Sequence, residues 1–196
     1  MPAKSRRFLV SIFLSGLSFC LFSCAEKQYS LTASRDFQMT ATGKENKIPL
    51  RAALYITLVP KITQGWGTID LGEAFSSGCE RMLKNIFREV VSADLSERQE
   101  FDVMVKPEII RWQRVSLNVR FWVHMDVVWN IYSPEGKIIY SNTVKNSIES
   151  TVSTISTVET KVNEVMAGYV LALNDQLVMA QDDLHSSKWW AKKWWQ

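Results

Sequence analysis

Between Leu117 and Ile131 every odd-numbered residue is apolar: Leu117, Val119, Phe121, Val123, Met125, Val127, Trp129 and Ile131. The even positions are Asn118, Arg120, Trp122, His124, Asp126, Val128 and Asn130. A repeat of two belongs to an extended strand, whose successive side chains point to opposite faces. Sustained this far, it predicts a long strand in a sheet with one buried and one mostly wet face. The apolar side of such a sheet needs a cover.

Two stretches at helical spacing can supply that cover. The first runs Leu71, Ala74, Phe75, Gly78, Met82, Ile86, Phe87 and Val90, with Glu80, Arg81, Lys84, Arg88 and Glu89 on the other face. Asp70 opens it as the capping residue and Glu73 completes a capping box. The second carries Val158, Val162, Val165, Met166, Tyr169, Val170, Leu173, Leu177 and Val178, ends near Leu184, and has Ser156 and Glu159 as its capping box. Further strands are expected at 52–59, closed by Pro60, and at 101–112, where Pro107 puts the latter half at an edge or a bulge. Ser133-Pro134-Glu135-Gly136 predicts a tight turn, with a return strand at 137–144 and a loop or polar strand extension at 145–156. Residues 61–69 are expected to be a loop. The expected order is β-α-β-β-β-α, an α+β two-layer sandwich with two amphipathic helices on one face of a mostly antiparallel sheet. This domain spans 48–185.

The N-terminus predicts an address. Lys4, Arg6 and Arg7 precede an apolar run from Phe8 to Phe22, which is short for a membrane span of about 20 residues. The junction Leu21-Phe22-Ser23-Cys24 resembles the bacterial lipobox. That resemblance implies a signal peptide at 1–23 and lipidation of Cys24, the residue on which diacylglyceryl is placed in such proteins. Two or three acyl chains hold a protein firmly to a bilayer, whereas one does not. Cys20 is the poorer candidate, because bulky Phe19 occupies the cleavage position. By the sorting pattern of enteric bacteria, Ala25 rather than Asp after the cysteine implies the outer membrane, facing the periplasm. Residues 24–47 are polar and read as a lipidated flexible tether. Removing the signal takes three of the 23 basic residues and leaves 20 against 20 acids. A neutral domain argues against nucleic acid as partner.

Catalytic spacing is sparse. His124 and Asp126 share a strand face about 7 Å apart, so a general base assisted by a carboxylate is geometrically open there, and a small envelope hydrolase is the alternative function. The plainer reading is a surface histidine on a polar sheet face. His185 suits a helix C-terminus. Gly65-Trp66-Gly67 lacks the spacing of a phosphate loop, and no metal site or cofactor is expected. Cys79, the one thiol left after processing, is expected to be buried in the first helix. The C-terminal stretch 186–196, SSKWWAKKWWQ, holds four of the eight Trp. Trp189, Trp190, Trp194 and Trp195 beside Lys188, Lys192 and Lys193 suit an anionic membrane surface or a partner protein. The alternative is that the Trp pairs fold back on the domain.

Four segments carry a wider resemblance: Leu71-Gly72-Glu73-Ala74-Phe75, Phe101-Asp102-Val103-Met104-Val105, Pro134-Glu135-Gly136-Lys137 and Val165-Met166-Ala167-Gly168-Tyr169. Together with the lipobox and the element order they resemble small bacterial envelope lipoproteins, of the YajG type or the auxiliary lipoproteins of ABC-type lipid transport systems. The resemblance spans roughly residues 50–184. It implies a non-enzymatic accessory or scaffolding role that binds an envelope protein complex or a lipid.

Overall fold

The computed structural model describes residues 27–31, 47–64, 67–92, 100–155 and 157–192. The signal segment, Cys24 and most of the expected tether lie outside the described residues. The elements are β1 (Gln28–Ser30), β2 (Ile48–Leu54), β3 (Lys61–Gln64), β4 (Gly67–Asp70), α1 (Gly72–Ile86), β5 (Phe87–Ser92), β6 (Val103–Leu117), β7 (Arg120–Tyr132), β8 (Ile138–Thr151) and α2 (Val158–Ser186). A single 3-10 turn, Trp189–Ala191, follows. Five strands form one mixed sheet in the order β5-β2-β6-β7-β8, and β1-β4-β3 form a second, smaller one. Both helices contribute their apolar side chains to the core shared with the larger sheet, so the two-layer α+β class stands. The sheet is less antiparallel than the sequence suggests, since β2 pairs parallel with both β5 and β6, while β6, β7 and β8 form an antiparallel meander.

The alternation that predicts the long strand is correct from Phe121 onward. Phe121, Val123, Met125, Val127, Trp129 and Ile131 are all fully buried on the inner face. Its first two members are not. Leu117 ends β6, Asn118 takes a left-handed φ of 56°, and Val119 completes a two-residue hairpin turn, so Leu117 and Val119 are exposed. An Asn between two extended runs is a hairpin signal, because its short polar side chain tolerates that region. The period of two passes through such a turn uninterrupted and conceals it.

Pro107 sits inside β6, opposite Trp129. The Tyr55 N–H donates to the Val105 carbonyl at 3.0 Å, just past the point where β2 ends. Pro107 points its missing N–H to that same side, beyond the last residue of β2, so no ladder bond is lost. From there to Leu117, β6 pairs with β7 and with no other described strand. Its register slips between Ile109 and Arg111, which fits the edge and bulge expected of the latter half.

Several boundaries are corrected. The expected strand at 52–59 lies earlier, at Ile48–Leu54. The expected loop at 61–69 is the antiparallel hairpin β3–β4. Part of the expected tether is folded: β1 pairs parallel with β4, and Leu31 is buried in the core. The first helix stops at Ile86, and Phe87 and Val90 belong to a strand. Its cap is Leu71, with no side-chain capping bond. Asp70 ends β4 instead, where its Oδ1 still accepts the Gly72 N–H at 2.9 Å. That bond, aided by Lys61 and Gln28, holds the Asp70 carboxyl below its ordinary range. For α2, Ser156 lies outside the described residues and Thr157 is the cap, accepting the Thr160 N–H. Val158 and Val178, read as part of the buried stripe, are exposed. Of the two readings of 145–156, the polar strand extension holds as far as Thr151, where β8 ends.

Helix and sheet meet where side chains are absent. A Cβ on Gly168 would stand 2.8 Å from the Phe121 ring, and one on Gly78 would stand 2.7 Å from Leu177 Cδ1. Glycine therefore sets the approach of α2 to β7 and of α1 to α2. The buried Gln176 amide donates to the Val144 carbonyl at 2.8 Å, and Asn146 donates to the Ala172 carbonyl at 2.9 Å, tying α2 to β8.

Candidate docking surface

The Trp/Lys tail divides between core and surface. α2 ends at Ser186 and Lys188 turns left-handed at φ 49°, so the chain reverses instead of continuing as helix. The 3-10 turn then places Trp189 between Phe87 and Tyr140, with ring centroids 6.3 and 6.1 Å away, and leaves it 3% exposed. The expectation of a surface contact at Trp189 is thereby corrected, and the domain runs past residue 185. The physical balance is plain. A left-handed residue costs roughly 1–2 kcal/mol, whereas burying a Trp at about 25 cal/mol per Å² returns about 4 kcal/mol or more. Trp190 is half-buried, edge-on to Trp189 at 5.8 Å and 5.6 Å from the His185 ring. Lys188 and Lys192 are exposed. Lys193, Trp194 and Trp195 lie outside the described residues.

Tyr140 closes the same corner, its hydroxyl donating to the Asp183 carboxylate. Burial, reinforced by that bond, raises its pKa to about 12. Tyr169 is raised to about 12 by burial, with Arg114 opposing the shift. Its ring stacks on Trp112 at 5.0 Å. Cys79 is fully buried and burial pushes its thiol well up, so it is a packing residue rather than a nucleophile.

His124 and Asp126 occupy the outer face of β7, both half-buried. In register, His124 stands between Gln113 of β6 and Ser147 of β8. Asp126 stands between Arg111 and Lys145. The cations that flank Asp126 across the sheet make this a cross-strand charge ladder.

Sequence reasoning missed the distal end of the sheet. There Leu117 precedes the β6–β7 turn and Val119 closes it, and the Val119 carbonyl accepts the Val152 N–H at 2.7 Å. Three residues on, Ile155 is 94% exposed, and Val158 at the start of α2 is 72% exposed. The connection is held by the Ser153 N–H donating to Glu164 Oε2 at 2.9 Å. Four exposed large apolar side chains thus lie on or next to the two connections at this end of the sheet. Clustered apolar exposure marks an interaction site where scattered exposure does not. The signal that reveals it is Asn118, which splits the alternation and moves its first two members out of the core.

No family model matches the sequence, and no curated protein matches it either. Solved structures of the same fold do. A minor lipoprotein from Acinetobacter baumannii aligns over 70% of this chain and 92% of its own, at 10% identity and a TM-score of 0.50. An uncharacterized lipoprotein B from Nitrosomonas europaea aligns over 80% of this chain and 97% of its own, at 13% identity and a TM-score of 0.50. The fold is therefore one that bacterial lipoproteins use.

Proposed function

We propose that this chain is a lipid-anchored protein of the bacterial envelope, held at the outer membrane and facing the periplasm, which acts by docking a partner protein rather than by catalysis. The observation that carries the reading is the apolar end formed by Leu117, Val119, Ile155 and Val158, on a fold shared with bacterial lipoproteins. The signal-like segment ending in Leu21-Phe22-Ser23-Cys24 supports the anchor. The segments that resemble YajG-type and ABC-transport auxiliary lipoproteins support the accessory role.

Two results are expected. Cys24→Ser releases the protein from the membrane fraction or leaves its precursor uncut, and palmitate labelling disappears. Normal processing and labelling in that variant would remove the anchor from the proposal. Second, a photo-crosslinking amino acid at Leu117 or Ile155 in living cells gives a discrete protein adduct, and the same group at exposed Arg88 gives none. Equal adducts at all three positions, or none, would sink the docking reading while leaving the anchor intact.

A further inference from the structure

The expected tether is shorter than its sequence. The Lys27 carbonyl already accepts the Thr68 N–H at 2.9 Å, and the Leu31 N–H donates to the Asp70 carbonyl at 3.1 Å. Gly67, at φ 153°, permits this approach, since a Cβ there would stand 2.3 Å from the Lys27 carbonyl oxygen. Gln28 donates to Asp70 at 3.1 Å, and Lys61 pairs with the same carboxylate at 3.1 Å. The folded domain thus begins three residues after Cys24. Three extended residues reach about 10 Å at most, and a domain of this size is roughly 40 Å across.

We infer that the β1–β4–β3 corner of the domain lies directly on the phospholipid surface that carries the anchor, with Leu58 and the cations Lys27 and Lys61 facing the headgroups. The inference rests on acylation of Cys24. Leu58 is 85% exposed and stands three residues before Lys61, so it falls within about 10 Å of the Lys61–Asp70 pair. Lys27 is exposed and the Lys61 side chain is 58% exposed. An exposed leucine near Lys61, with Lys27 at the other end of the same small sheet, suits the boundary between acyl chains and anionic headgroups. A chain with a long tether could turn any face to the bilayer, whereas a reach of about a quarter of the domain's width fixes which face it presents.

The test uses the full-length acylated protein in vesicles of phosphatidylethanolamine and phosphatidylglycerol containing brominated lipid. A dye is attached at Leu58→Cys or at Arg88→Cys, which lies past the far end of α1; buried Cys79 needs no replacement. The dye at 58 should lose most of its fluorescence to the brominated chains, and the dye at 88 should keep it. A flexible Gly/Ser linker of about 20 residues inserted between Glu26 and Lys27 should restore the signal at 58. Equal quenching at both positions, or none at 58 when mass spectrometry shows acylated Cys24, overturns the inference and leaves the lipoprotein reading standing. An unmodified Cys24 overturns both.

Discussion

Replacing Val127 by Asp is expected to leave the protein without a cooperative thermal transition, whereas Val128→Asp, one residue along, still melts within a few degrees of wild type. Val127 is fully buried and faces Ile109 on β6 and Val144 on β8, so the new carboxylate meets no cation on either neighbouring strand. An unpaired buried charge costs several kcal/mol, which rivals the 5–15 kcal/mol that typically holds a whole domain folded. Val128 is on the wet face between Glu108 and Thr143. Its loss should cost about 1 kcal/mol, or about 2–4 °C in a chain of this size. Circular dichroism melts decide the matter, because a sheet register wrong by one residue would exchange the two results.

The second large effect is expected at the C-terminus. Trp189→Ala should destabilise by about 3–5 kcal/mol, a fall in Tm of roughly 6–20 °C. The indole fills the space between Phe87 at the head of β5 and Tyr140 near the head of β8, two strands on opposite edges of the larger sheet. Its removal leaves a cavity where α2, β5 and β8 converge. A melt within about 2 °C of wild type, a loss of no more than about one kcal/mol, would show that the tail is dispensable to the fold.

What the sequence made legible was whatever repeats. The inner face of β7 and the stripes of α1 and α2 follow from periodicity, because burial selects the same face at every turn. Single reversals were not legible. Asn118 ends one strand and begins another without disturbing the alternation. Phe87 and Val90 continue a helical stripe numerically while forming a strand, since positions one and four residues past Ile86 fit the helical face, and only the parallel pairing with β2 decides between them. β1, β3 and β4 have three or four residues each and owe their existence to one another. At the tail, the alternation of lysine and tryptophan looks interfacial, but the decisive residue is Lys188, whose left-handed backbone sends the next indole inward. Part of the exposed apolar end was hidden with the hairpin, because Leu117 and Val119 count with the core until the turn is known, while Val158 was hidden by its place in a helical stripe.

The stretch of β6 beyond the reach of β2 also bears on how readily another extended chain could add to the sheet. A long strand edge is an invitation to any other extended chain. Here the invitation is withdrawn three times within eight residues. Pro107 offers no N–H, the irregularity between Ile109 and Arg111 breaks the spacing a newcomer would have to match, and Arg111 and Arg114 would bring like charges together if two edges met. The proline that looks like damage to the strand is one of the residues that discourage such pairing.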